Sequence, residues 1–188
     1  MRVAAAQFET RLLDPTANLA TMRAYLERAA NLGADLVAFP ECAVQGYALT
    51  MEEATRLAEP IPGPSTRQLA EACNRLRLHA VVGLIEEDAD GVLFNSAALL
   101  GPQGVIGVYR KTHLPFLGVD RYLACGDVLP GPFLTPLGRI SLLVCYDLRL
   151  PEPMRVLALG GAQLVVVSTA WPNTARLYSD HLARTRAA

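Results

Sequence analysis

The chain has 188 residues, 52% of them hydrophobic and 19% charged, with a formal net charge of −1 at pH 7. That length suits one domain, 1–188, and that composition suits a well-buried core. The charge balance excludes the basic footprint of a nucleic-acid or anionic-membrane binder, and no apolar run nears the ~20 residues needed to span a bilayer.

The chain opens with a short apolar run, "RVAAAQF" (Arg2 to Phe8), read as a buried strand. "DPTANLATMRAYLERAANLG" follows as a helix, with Asp14 to cap it, Pro15 in its first turn and Gly33 at its exit. Leu19, Met22, Leu26, Ala29 and Ala30 share one face of it. "ADLVAFPE" is a second strand, and the βαβ order makes the two parallel. "GPSTRQLAEACNRLRLH" reads as a helix starting near Ser65 or Thr66, and "AVVGLIEE" as the next strand. Asp90-Gly91 turns the chain into an antiparallel "VLFNSAALL", and "GPQG" turns it again into "VIGVYRK". The stretch from "THLPFLGVDRY" to "LPGPF" is irregular, and its length marks it as functional. "GRISLLVCYD" is a strand, "PEPMRVLALGG" a helix, "AQLVVVSTAW" a strand and "TARLYSDHLARTRAA" a helix. Helices alternating with strands around a central meander predict an α/β sandwich with a helix-covered mixed sheet.

The N-terminal "MRVAAAQFET" lacks the layout of a signal peptide, and a cytoplasmic location is expected. Cys42, Cys73, Cys125 and Cys145 include no C-x-x-C pair, so a zinc ribbon or thioredoxin-type motif is not expected. The default for each is a small buried hydrophobe.

Three apolar strands end on reactive groups: Glu41 after "LVAFP", Lys111 after "VIGVYR" and Cys145 after "ISLLV". The set is chemically coherent. A thiol needs activation near neutral pH, a carboxylate can take its proton, and an ammonium can stabilise an oxyanion. The backbone N–H of Tyr146, directly after the cysteine, is a second oxyanion donor. Taken singly, Glu41 reads as a cap or solvated loop residue, Lys111 as an exposed charge beside Arg110, and Cys145 as core.

"LVAFPECAVQGY", "VYRKTHLP" and "LLVCYDLRLPEP" resemble, in order, the glutamate, lysine and cysteine motifs of the nitrilase superfamily of carbon–nitrogen hydrolases. "FNSAALLGPQGVIGVYRK" is similar to that family's hairpin before the lysine, and "CYDLRLPE" looks closest to its amidase-like branches. The resemblance implies one carbon–nitrogen hydrolase domain over 1–188 with a four-layer αββα sandwich. It implies Glu41 as general base, Lys111 as oxyanion stabiliser and Cys145 as nucleophile on a small amide, with a nitrile or an N-carbamoyl compound as the alternative, through a covalent thioester or thioimidate. It implies no metal and no organic cofactor, and a homodimer or larger homo-oligomer. Family members often line the substrate pocket where Trp171 stands. Arg149 and Glu152 match the motif as a salt bridge or cap holding the turn after Cys145.

Two departures stand out. The loop after Lys111 lacks the second glutamate of many members, and Asp120 is its nearest substitute, with Asp127 next. Members also run past residue 188, so the resemblance implies a C-terminally incomplete form missing strands of its sheet. A Cys-His hydrolase using His113 and a binding module without turnover are the rival readings. For a substrate bearing a carboxylate, Arg149, Arg121 and Arg176 are the candidate partners.

Overall fold

The computed structural model describes residues 1–172 and 175–188. Strands β1 (Val3–Ala5) and β2 (Leu36–Ala38) pair in parallel, Val3 against Leu36 and Ala5 against Ala38. Helix α1 (Pro15–Asn31) makes the crossover between them. Asp14 Oδ1 accepts the Ala17 N–H at 2.9 Å with Pro15 in the first turn, and Gly33 leads the chain away at φ +71°. Met22, Leu26 and Ala29 are buried, with Leu19 and Ala30 packed beside them. Both strands are shorter than the apolar runs that announced them, because the pairing stops at Ala5 and Ala38.

Helix α2 (Met51–Leu57) was not expected. A capping box starts it: Glu53 N–H donates to Thr50 Oγ1 at 3.3 Å, and Thr50 N–H donates to Glu53 Oε2 at 2.8 Å. Helix α3 (Pro64–Leu76) begins where the Gly63 N–H donates to Thr66 Oγ1 at 2.8 Å. Strand β3 (His79–Glu87) extends the sheet in parallel from β2, and β4 (Leu93–Gly101) and β5 (Gly104–Arg110) add the antiparallel meander. The strand order is β1-β2-β3-β4-β5.

The irregular stretch contains a 3-10 turn, Gly118–Arg121, and Ala124 bridges to Phe94. Phe133, expected in that stretch, instead opens β6 (Phe133–Thr135), antiparallel to β7 (Gly138–Val144). Helix α4 (Pro151–Leu159) then crosses to β8 (Leu164–Ser168), parallel to β7. A π-helical turn, Tyr178–Leu182, runs into α5 (Ala183–Ala187). Thr174, placed by the sequence at the start of this last helix, lies outside the described residues.

The single mixed sheet inferred from element order is thus two sheets, of five and three strands. They stack rather than join edge to edge. A Cβ on Gly107 of β5 would stand 2.2 Å from the Phe133 ring, so the missing side chain is the space that ring fills. Leu36, Val81, Leu99 and Tyr109 of the first sheet pack with Ile140, Leu142, Val144 and Val166 of the second, and Leu157 of α4 joins them. On the other face of the first sheet, Met22 and Leu26 of α1 and Leu69 and Cys73 of α3 pack with Val82, Leu84 and Leu100. The layers are α, β, β, α.

Candidate active site

Glu41 lies three residues beyond β2, in a turn. Its segment crosses directly over β3: a Cβ on Gly83 would meet Pro40 O at 2.4 Å and Glu41 Cα at 2.8 Å, so only glycine admits this approach. Gln45 pins the loop, accepting the Ile85 N–H at 3.0 Å and donating to Leu57 O at 3.2 Å.

Lys111 follows the last residue of β5, and its backbone N–H donates to Asn95 O on β4 at 2.8 Å. Its ammonium donates to Glu41 Oε1 and to Asp120 Oδ2, each at 2.6 Å. Asn95 Nδ2 donates to the same two carboxylates, to Glu41 Oε1 at 2.9 Å and Asp120 Oδ1 at 2.7 Å. Tyr47 donates its hydroxyl to Asp120 Oδ2 at 2.9 Å. Lys111 and Asn95 are wholly buried, and Glu41 and Asp120 are each 2% exposed. Burial raises the Glu41 carboxyl above its ordinary range; the Lys111 ammonium opposes this and the Asp120 charge adds to it. For Lys111, burial works against the charge, but the Glu41 and Asp120 carboxylates outweigh it and hold the ammonium above its usual range.

Cys145 comes directly after β7 at φ +46°, opening the 3-10 turn Cys145–Arg149. A left-handed backbone at a non-glycine residue stores about 1–3 kcal/mol, and such strain gathers at functional sites. Asp147, wholly buried, holds the turn. Its Oδ2 accepts the Val144 N–H and the Tyr109 hydroxyl, each at 2.9 Å. Its Oδ1 takes the His113 N–H at 3.2 Å and lies 2.9 Å from His113 Nδ1. One carboxylate therefore ties the segment after Lys111 to the turn that carries Cys145. The Glu41 carboxylate and the Ala170 N–H both act electrostatically on the Cys145 thiol, and that N–H donates to Glu41 Oε2 at 3.1 Å. Burial, then the Glu41 charge, push the thiol well above its ordinary range, so it rests protonated beside a carboxylate that can accept the proton.

The structure thus brings Glu41, Lys111, Cys145 and Asp120 together. Asp127 acts on Arg110 instead. Tyr146 follows Cys145 in the 3-10 turn, and the Arg149 guanidinium lies 5.1 Å from its ring. His113 lies past the end of β5, not on the strand, and its ring turns to Asp147. Arg121 lies 5.8 Å from both the Phe116 and the Tyr122 rings. A cavity of about 740 Å³ adjoins the centre, lined by Phe8, Glu41, Tyr47, Trp171 and Arg176 among others. Of the site residues expected from sequence, Glu41, Trp171 and Arg176 line the cavity, whereas Lys111, Cys145, Tyr146, Asp120, His113 and Arg149 are not among its lining residues. Among the described residues, no three His, Cys, Asp or Glu side chains are grouped to hold a metal, and no helix is long and apolar enough to cross a membrane.

Sequence reasoning missed Tyr47, Asn95 and Asp147, and took Cys42 for plain core. Cys42 is buried, but its Sγ lies 3.6 Å from Asn95 Oδ1. The available signals were polar residues inside apolar runs: Asn95 in "LFNSAALL" and Asp147 two residues after the cysteine.

Residues 2–188 match the carbon–nitrogen hydrolase family. The chain is 35% identical over 167 residues to "Nitrilase" of Pyrococcus abyssi, covering 88% of this chain and 63% of that protein. It is 33% identical over 180 residues to "Omega-amidase NIT2" of Homo sapiens, covering 90% and 64%. The chain therefore spans a little under two thirds of the length of these relatives. The amidase from Nesterenkonia sp. AN1, solved in complex with acrylamide, superposes with a TM-score of 0.88 at 28% identity, over 100% of this chain and 71% of that one. The chain belongs to the carbon–nitrogen hydrolase family.

Proposed function

We propose that this chain hydrolyses the carbon–nitrogen bond of a small amide through a covalent cysteine thioester. The carrying observation is the Cys145 thiol beside a buried carboxylate that is itself clamped by a buried ammonium. Glu41 takes the thiol proton as Sγ attacks the carbonyl carbon. The oxyanion that forms is met by the Tyr146 N–H and by Lys111, two of whose three N–H groups are engaged by Glu41 and Asp120, leaving the third. Collapse breaks the C–N bond, and the protonated Glu41 gives its proton to the departing nitrogen, releasing ammonia and leaving a thioester. Glu41 then draws a proton from water as the water attacks, and the acid and free thiol are restored. Asp120 takes the place of the family's second glutamate, accepting a second hydrogen bond from Lys111 beside that of Glu41.

Support for amides comes from similarity to an omega-amidase and to an amidase solved with acrylamide. A carboxylate-bearing amide fits best, because Arg176 lines the cavity beside Glu41 and Trp171. Nitrile hydrolysis is the second reading, favoured by similarity to the Pyrococcus protein. The proposal includes a cytoplasmic setting, which four free thiols suit, and a homo-oligomer, for which Val156 and Leu159 on α4 offer exposed apolar surface.

The test is ammonia release from a panel of aliphatic amides, ω-amides and nitriles, with this chain beside Cys145→Ala. Release that vanishes in the variant supports the reading. A rate equal in both proteins overturns it, as does no release from either.

A further inference from the structure

Two side chains join the same pair of carboxylates. Lys111 is one, and its charge explains it. Asn95 is the other, and no step assigned above uses it. Its Nδ2 supplies one bond to Glu41 Oε1 and one to Asp120 Oδ1, accounting for both amide hydrogens. Its Oδ1 lies 3.6 Å from the Cys42 thiol, whose S–H is the hydrogen-bond donor to it among the described residues. The opposite amide orientation would turn a carbonyl oxygen on two carboxylates and an NH2 on a hydrogen-bearing sulfur. Both ends of the group therefore select one orientation.

The backbone around this pair is equally specified. Asn95 O accepts the Lys111 N–H, so one residue of β4 fixes both the main chain of Lys111 and the carboxylates its ammonium meets. Cys42 is held at φ +47°, directly after Glu41, which aims its sulfur at β4. The groups facing this centre are Cys42, Tyr47, Lys111, Asp120 and Cys145, with the Ala170 N–H on Glu41 Oε2.

We infer that Asn95, oriented by the Cys42 thiol, is a positioning residue that holds the Glu41 and Asp120 carboxyl groups together around Lys111 and so keeps Glu41 able to accept the Cys145 proton. Two carboxylates this close repel, and repulsion in a buried site is relieved by taking up a proton. A neutral donor to both resists that proton without adding a charge that would compete with Lys111. This inference rests on the reading of Glu41 as the base.

The experiment is a pH–rate profile together with a direct titration of Glu41, followed by 13C NMR of glutamate-labelled protein, with the resonance assigned by its loss in Glu41→Gln. Asn95→Ala removes both donors, and Asn95→Asp keeps the shape while adding a third carboxyl. Both are expected to raise the Glu41 midpoint and the acid limb by about one pH unit or more, with the larger shift in Asn95→Asp. Cys42→Ala is expected to move the midpoint the same way by less, and Cys42→Ser, whose hydroxyl still donates, is expected to restore it. A lower rate with an unmoved midpoint in the Asn95 variants overturns the inference and leaves Asn95 a packing residue. If no protein releases ammonia but the NMR midpoint moves, the hydrolase reading fails while the electrostatic role of Asn95 stands. If Asn95→Ala does not fold, the two Cys42 variants and Asn95→Asp decide.

Discussion

Asp120 Oδ2 accepts a hydrogen bond from Lys111 Nζ at 2.6 Å, between two side chains with no solvent exposure. With Glu41 at the same distance, the ammonium is what allows two buried carboxylates to coexist. Lys111→Met is expected to abolish turnover and to destabilise the fold by about 3–5 kcal/mol near neutral pH, the usual result of orphaning a buried charge. The loss depends on pH. Burial already holds the Glu41 carboxyl above its ordinary value and losing the ammonium raises it further, so its penalty is absent below the unfolded pKa and grows as pH rises from there to the folded one. Denaturant unfolding at mildly acidic and at neutral pH checks this: the gap from wild type should be wider at neutral pH.

With Glu41 as the proposed base, turnover would require it unprotonated, and burial has raised its pKa. Activity should therefore be lost on acidification at a pH above the ordinary glutamate range, and regained as pH rises through that raised value. A kcat/KM profile with its acid midpoint at or below an ordinary carboxylate value contradicts the base assignment.

The left-handed backbone at Cys145 sets stability against activity. Cys145→Ala and Cys145→Gly should both be inactive. The glycine variant should be the more stable of the two by about 1 kcal/mol, because only glycine adopts this conformation without a Cβ penalty. Thermal unfolding of the two variants side by side measures the difference.

Asp147 and His113 separate a structural role from a chemical one. Asp147→Ala leaves the Val144 N–H and the Tyr109 hydroxyl without their acceptor and should destabilise by about 2–4 kcal/mol. His113→Gln should slow turnover by less than about tenfold, against the 10²–10⁴-fold that loss of a general acid or base costs. A fall of that larger size would revive the Cys-His alternative.

Thiol reagents should distinguish the four cysteines by exposure and setting. Cys125 is exposed and should label first, as an ordinary surface thiol. Cys42 and Cys73 have no exposure and should label only on unfolding, burial having raised the Cys73 thiol to about 12. Cys145 should label in the folded protein, and a small amide substrate should protect it while leaving Cys125 unaffected. Mass spectrometry of the labelled peptides reads all four sites.

The reactive residues were legible because each follows an apolar strand or its loop, where burial is clearest in sequence. The amphipathic pattern of α1 and its Asp14–Pro15 start were equally plain. What was not legible was pairing across distance. Nothing in "LFNSAALL" says that Asn95 faces Glu41 from 54 positions away, or that Asp147 reaches both Tyr109 and His113. The two-sheet stack was also hidden in the element order, since Gly107 signals a close neighbour but does not name Phe133. Helix α2 was legible in principle: its T-x-x-E start lies at Thr50 and Glu53, but only seven residues follow.

Glu41 and Lys111 hang from the five-stranded sheet and Cys145 from the three-stranded one, with the apolar interlayer of Leu99, Tyr109, Leu142 and Val166 between those sheets. The thiol–carboxylate spacing is therefore a vernier on how the two sheets lie against each other. A small slide at the interlayer, far too slight to melt the protein, would arrive undiminished at the proposed point of proton transfer. Trimming a side chain such as Leu142 should consequently cost turnover out of proportion to its cost in melting temperature.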